Sequence, residues 1–451
     1  MADEWQSIAF RQLLAEPVRN GIYKQKEFHG RGAKIVNMGE LFTHPRLRTV
    51  PMKRVELSGS ESERFTLVKG DLLFARRSLV AEGAGKCSVV LEVDEPTTFE
   101  SSIIRARPDG SKADPLFLYY FFNSTAGLHC LDTIRRQVAV AGITGSDLSR
   151  LEIPTPPLPE QRAIAHILGT LDDKIELNRR MNETLEDMAR ALFKSWFVDF
   201  DPVRAIAEGR DPGLPNPLAE LFPARLVDSE LGEIPEGWEV DSLEGTLDEL
   251  EVGGRPKGGV SGYADGVPSI GAESIVGLGV FDYSKTKYVP REFFDGMSKG
   301  HVKSRDVLLY KDGGRPGEFE PHVTLVGDGF PFSTCAINEH VYRLRAKSTL
   351  GQNFLFFWLS SDVVMEEMRI KGTGVAIPGL NSTQVKSLTT LVPKSGVVRG
   401  FDSAVEPWVS RILASCNESR TLAALRDSLL PRLISDEIRV KDAQRIVEGV
   451  M

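Results

Sequence analysis

The chain states one pattern twice, about 235 residues apart, and each copy closes on a long heptad-patterned helix. Trp5, Phe10, Leu14 and Glu16 open the first copy; Trp238, Leu243, Leu247 and Glu249 open the second, at an offset of 233 residues. Further in, Gly30 to Glu40 faces Asp265 to Glu273, with Ile35 opposite Ile270. Lys69 to Phe74 faces Ser304 to Leu309, with Asp71 opposite Asp306, and the turn Ala139 to Thr144 faces Val375 to Leu380. The offset creeps upward in order along the chain, as it does when duplicated domains gain and lose loop residues.

The helices carry the sharper constraint. Leu168, Leu171, Ile175, Asn178, Asn182, Leu185, Ala189, Leu192 and Trp196 recur at alternating steps of three and four, the seam of a coiled coil. Adding 237 gives Val405, Trp408, Ile412, Ser415, Ser419, Leu422, Arg426, Leu429 and Leu433. Both seams are apolar at their ends and polar in the middle. Antiparallel packing sets polar centre against polar centre, which favours one register. Two separate amphipathic helices, each covering its own domain, are the other arrangement the pattern allows. A helix from Leu168 to Trp196 is roughly 43 Å long at about 1.5 Å per residue, comparable with a dozen base pairs at about 3.4 Å each. A paired helix of that length would act as a ruler between two similar domains.

Short strands separated by Gly, Pro and Asp turns fill the first part of each copy: Lys34 to Met38, Arg64 to Val68, Asp71 to Ala75, Cys87 to Glu92 and Ser101 to Ala106 in the first. An aromatic helix follows, Pro115 to Asn123, matched by Asn353 to Ser361; apolar nearly all round, it belongs to a core. The proline-rich Ile153 to Pro159 ends the domain and launches the long helix. The reading is a first domain over 1–158, a long helix over 159–198, an acidic Pro/Gly-rich linker over 199–235, a second domain over 236–395, a second long helix over 396–436 and a tail over 437–451. The fold class is α+β: two similar domains, mostly β with short helices, joined by two long antiparallel coiled-coil helices in a pseudo-two-fold repeat. Pro431 predicts a kink or early end in the second helix, and Pro407 lies near its expected start.

Composition fits a soluble two-domain protein, and the cytoplasm is the expected location. No apolar run approaches the roughly 18 residues of a membrane span, and the start, MADEWQSIAF, lacks the pattern of a signal peptide. Cys87, Cys130, Cys335 and Cys416 are too far apart to suggest a zinc knuckle or a disulfide framework. A net charge of −8 taken alone speaks against nucleic acid, but the charge is unevenly spread. Residues 1–158 hold roughly 21 basic and 19 acidic side chains, whereas the segment 198–236 holds about 3 and 9. Basic residues bunch in loops, as Arg46 with Arg48, Arg76 with Arg77 and Arg135 with Arg136. An acidic subunit binds DNA if a basic partner supplies much of the phosphate contact, so a partner is expected.

Several motifs in order resemble one family. Pro156 to Ile164 (PPLPEQRAI), Leu171 to Ile175, Ala191 to Asp201 (ALFKSWFVDFD), Gly232 to Val240 (GEIPEGWEV) and Leu425 to Leu433 (LRDSLLPRL) look like hallmarks of the HsdS-like specificity subunit of type I restriction-modification systems. The resemblance implies two target-recognition domains, each reading half of a bipartite gapped site in double-stranded DNA, with the helices setting the gap. It implies docking of two methyltransferase subunits and two motor-nuclease subunits, in defence against foreign DNA. It implies no catalysis and no cofactor in this chain, with S-adenosylmethionine in the methyltransferase, and ATP and Mg in the motor-nuclease. Gln161-Arg162 has no clear second copy, which implies that docking surfaces on the two helices differ.

Base-reading candidates are loop cations after matched strands: Lys24, Lys26 and Arg31, then Arg76, Arg77 and Lys86, with Arg255, Lys257, Lys311 and Arg315 in the second copy. Arg135, Arg136 and Lys371 precede the matched glycine turns and join them. Arginine forks hold guanine O6 and N7, and lysine neutralises phosphate. Each glycine cluster is equally an ordinary structural turn. The chain lacks the Asn/Asp-Pro-Pro-aromatic tetrapeptide of an amino-methyltransferase and a phosphate-cradling Gly-Lys-Ser/Thr motif. The seven histidines do not cluster, and no metal site is expected. The alternative in another class is a duplicated protein-binding scaffold that has lost DNA reading.

Overall fold

The computed structural model describes residues 5–136, 141–313, 317–373 and 378–450. The chain divides into two compact units, one of Met1–Lys174 with Leu422–Met451, the other of Ile175–Thr421. Each unit therefore owns part of both long helices, Leu158–Phe197 and Ser395–Ile434.

The first unit holds a five-stranded sheet in the order Leu14–Asn20, Ile103–Pro108, Leu72–Ala75, Cys87–Val90, Arg46–Leu47. A second sheet sets His29–Val36 between antiparallel Lys53–Val55 and parallel Thr97–Phe99. A two-stranded ribbon, Gln6–Ala9 with Glu152–Thr155, ties the start of the domain to the strand that leads into the long helix. Leu72–Ala75 and Cys87–Val90 are buried throughout, which is why they read as short runs without alternation.

The second unit repeats the plan with a four-stranded sheet, without a counterpart of Arg46–Leu47 among the described residues. Leu247–Val252, Val341–Ala346, Val307–Tyr310 and Val323–Leu325 follow the same order. Val267–Ile270 again lies between an antiparallel strand, Lys287–Val289, and a parallel one, Ala336–Ile337. Glu239–Ser242 pairs with Thr389–Val392 as the entry ribbon. The fold is thus α+β with two similar domains and two long antiparallel helices.

A buried ion network recurs with the sheets. Asp71 is fully buried; it accepts both arms of Arg107 at 2.7 and 2.8 Å and the Val68 amide, while Arg105 reaches Glu16 at 2.8 Å. In the second unit Asp306 accepts from Arg343, from Arg345 at 2.9 Å and from the Lys303 amide, and Arg343 also binds Glu249 and Glu251. Charges this deeply placed are tolerated because every carboxylate has a forked donor.

Local chemistry departs from the sequence reading in three places. Arg64 to Val68 is not a strand: Ser58 and Glu61 close a capping box that starts a helix, Gly59–Phe65, and takes Arg64 with it. The second long helix spans Ser395–Ile434 and is unbroken at both Pro407 and Pro431. Both prolines, and Ser403 and Asp427 four residues before them, are exposed, so each freed carbonyl faces water rather than an apolar core. The segment read as a linker holds the helices Asp201–Ala207 and Asn216–Ala219 and a hairpin, Leu226–Ser229 with Gly232–Pro235. Pro202 and Pro217 sit in first helical turns, where no amide is missed, and Phe222 packs edge-on against Trp196 at 5.3 Å.

Within the second unit Asn178, 1% exposed, donates to Glu418 at 2.7 Å and Ser419 at 3.2 Å, while Asn182 reaches the Cys416 sulfur. Phe193 and Phe197 pack on Phe354 and Phe401, so the first helix ascends as the second descends. Leu185, Leu192 and Trp408 border this core; Trp196, Val405 and Ile412 are buried in it. In the first unit Leu168, Leu171, Leu422, Leu429 and Leu433 are buried, and Asp172 binds Arg426 at 2.5 Å and the Tyr120 hydroxyl at 2.6 Å. Gln161 pins the helix start: it accepts from the Asp114 amide and donates to the Pro156 carbonyl.

Arg343→Met should destabilise the second unit by about 1–3 kcal/mol, since buried Asp306 keeps Arg345 but loses one of its two guanidinium partners; a denaturant midpoint within error of wild type would contradict this. Asp402 tests the same unit by pH. Burial pushes its carboxyl from 3.8 up to about 7, with Glu406 adding to the rise and the Phe354 amide opposing it. The unfolded chain releases this proton first, so the contribution of Asp402 is full below about pH 4 and is lost as pH rises towards 7. Thermal melts of Asp402→Asn should lose this component of the decline between those values.

Candidate functional site

Two of the predicted loops converge in the first domain. Arg77–Ser78 pairs with Ala141–Gly142, and Arg136 bridges Gly142 from the other side through hydrogen bonds of 2.9 and 3.2 Å. Ile143 donates to the Arg76 carbonyl at 3.0 Å, and the Arg135 guanidinium donates to the Ala84 carbonyl at 3.2 Å. A side chain at position 142 would meet the Arg76 carbonyl at 3.0 Å, so glycine lets the two backbones close. Arg77 is exposed and has no side-chain partner among the described residues; Arg136 is exposed and pairs with Asp147 at 2.7 Å. Arg76 is half-buried and donates to the Ser101 carbonyl at 3.3 Å, and Lys86 lies over the Phe42 ring.

The second domain builds the same junction from other side chains. Asp312 bridges Gly379, Leu380 donates to the Lys311 carbonyl at 2.8 Å, and Gly379 donates to the Gly372 carbonyl at 3.0 Å. These stand where Gly142, Ile143, Arg76 and Arg136 stand in the first copy. Where the first junction presents Arg77, the second presents Asp312, bound by Lys311 and His340. Burial opposes ionisation of Asp312, but these two partners hold its carboxyl below the usual range. Arg315 lies outside the described residues.

The chain is similar in sequence and fold to known proteins. A family profile described as the type I restriction modification DNA specificity domain matches residues 5–187. The specificity subunit of the type I restriction enzyme MjaIX of Methanocaldococcus jannaschii is 28% identical over 334 residues, covering 72% of this chain and 69% of that protein. The HindI specificity subunit of Haemophilus influenzae is 25% identical over 447 residues, covering 89% and 94%. The chain is thus similar to HsdS specificity subunits of type I restriction-modification systems. Its fold is also that of the S subunit of the type I restriction-modification system from M. genitalium, with a TM-score of 0.58 at 15% identity, covering 96% of this chain and 97% of that one.

The other candidates of this HsdS-like chain stand apart from the junctions. Lys24 binds Glu61 at 2.7 Å and lies over the Phe28 ring, and Arg31 forks Glu56, a bond that raises its pKa. Lys26 is exposed on the short helical turn Lys26–Phe28. Arg255 binds Glu339 at 3.0 Å, Lys257 is exposed, and Lys371 is held by Glu367 and the Ser387 carbonyl, both at 2.8 Å. The sequence reading missed Asp312, His340 and the exposed pair Leu79 and Val80. Carrying the offset from Asp71 to Asp306 on to Arg77 would have pointed to Asp312; nothing in the sequence marks Leu79 and Val80 as exposed. Among the described residues no group of three or more His, Cys, Asp or Glu is placed to hold a metal ion, and no helix is long and apolar enough to cross a membrane.

Proposed function

We propose that this chain reads DNA sequence for a type I restriction-modification complex and performs no chemistry itself. Each domain reads one half of a bipartite site, and the helix pair sets the gap. The chain docks two methyltransferase subunits, which carry S-adenosylmethionine, and two motor-nuclease subunits, which use ATP and Mg. The supporting observation is the duplicated junction: one backbone frame presents Arg77 and Arg136 in the first domain but Asp312 and Gly372 in the second. A frame kept while its presented groups diverge suits two domains that read different bases. Arg77 suits a guanine edge or a phosphate, whereas an Asp or Glu carboxylate accepts from cytosine N4. Lys24, Lys26, Arg31, Lys86, Arg135, Arg255, Lys257 and Lys371 serve as flanking contacts, the paired ones exchanging a carboxylate for phosphate on binding.

A second reading, a scaffold that binds protein through the same frame, draws on the ion pairing of Arg31, Arg255 and Lys371. A map of methylated adenines in cells with the methyltransferase partner, with and without this chain, separates the two. The expected result is a split motif with a fixed gap that disappears with the chain; an identical map in both cells would leave only the scaffold. Arg77→Ala should cost about 1–3 kcal/mol at one half-site and relax its sequence if the contact is to a base. Equal methylation of all sites by that variant would remove Arg77 from the reading surface.

A further inference from the structure

At the tip of the Arg76–Lys86 segment, Leu79 is 91% exposed and Val80 62%. The turn that carries them is built firmly. Val80 donates its amide to the Ser78 hydroxyl at 3.1 Å, Gly83 donates to the Val80 carbonyl at 3.0 Å, and a side chain at position 83 would strike Ser78. The base is fastened by hydrogen bonds from Gly85 to the Ala75 carbonyl and from Ala75 to the Lys86 carbonyl, and by Arg135 on the Ala84 carbonyl. Ala84 and Gly85 are buried. Two aliphatic side chains are therefore held out in water by a fixed turn, beside exposed Arg77. Arg76, Arg77 and Lys86 outnumber Glu82, the single carboxylate of the segment.

Scattered surface leucines are ordinary, but an adjacent pair raised on a fastened, cationic turn has the form of a wedge. We propose that Leu79 and Val80 enter the base stack of the half-site read by the first domain, parting two neighbouring base pairs beside the groups that Arg77 and Arg136 contact. This rests on the DNA-reading role proposed above and adds a mode of recognition to it. Side chains of this kind unstack a step and kink the duplex, and the cost is least at pyrimidine–purine steps. The wedge thus selects a deformable step without hydrogen-bonding to it.

The test uses the full chain in complex with its methyltransferase subunits, on duplexes of the mapped site. 2-Aminopurine is placed in turn at each position of the first half-site except the methylated adenine. The wild-type complex should brighten the probe several-fold at one step. Leu79→Ala with Val80→Ala should abolish that signal and weaken binding, and Leu79→Met with Val80→Ile should restore both. No bright step in wild type, or a signal unchanged in the double alanine variant, overturns the wedge while leaving sequence-specific binding intact. Loss of methyltransferase subunits from the alanine variant in sedimentation, with the probe response retained by whatever complex remains, would mark the pair as a protein contact and also overturn it. Failure of the wild-type complex to prefer the site over random DNA would instead overturn the reading on which the wedge rests.

Discussion

Asn178 lies almost fully buried at the polar centre of a helix seam whose ends are apolar, so its amide must find partners on the opposite helix. Ser419 and Glu418 supply them in one register. A slip by one turn would break both of these bonds, at a cost of about 1–3 kcal/mol if the buried amide is left unpaired. That register sets which turns of the two helices meet in the second unit, and with it where Phe193 and Phe197 land. Those rings fall on Phe354, Phe357 and Phe401, joining the end of the first helix to the aromatic helix Gln352–Leu359. The end of a helix that begins in one unit thereby becomes core of the other.

Inside each domain the matching constraint is electrostatic. Asp71 and Asp306 each lock the loop before a buried strand to the sheet, because the carboxylate accepts a loop amide and a guanidinium from the neighbouring strand. Removing one arginine leaves charges that water cannot reach, which explains how both copies keep Arg105 and Arg107, Arg343 and Arg345, in the same register. The strand beyond each aspartate ends at Ala75 or Tyr310, and the junction loops begin there. The core network therefore aims the surface that differs between domains.

That surface shows why a chain of net charge −8 is compatible with the type I specificity class. Most candidate cations are neutralised in place: Arg31 by Glu56, Arg255 by Glu339, Lys371 by Glu367. Arg77 stands out because its ribbon offers it no carboxylate among the described residues. On the proposed DNA-reading role, a few well-placed groups on a paired ribbon would favour selectivity over bulk attraction, which partners would supply.

The duplication, the aromatic core helices, the two long helices and the equivalence of Asp71 with Asp306 were legible in the sequence, since each depends on local periodicity or on residues kept at matching offsets. Local reading failed at Arg64 to Val68, where a capping box outweighs strand propensity, and in the segment 199–235, read as a linker, where Pro202 and Pro217 open short helices. It could not see that Arg77 and Arg136, almost sixty residues apart, share one ribbon through Gly142, or that Leu79 and Val80 project from a fastened turn. The sequence by itself determined the repeat and its elements, because hydrophobic period and turn chemistry act over a few residues. Only the tertiary structure decided which cations are tied to carboxylates and which face solvent, because ion pairing depends on distances set by strand register and loop closure.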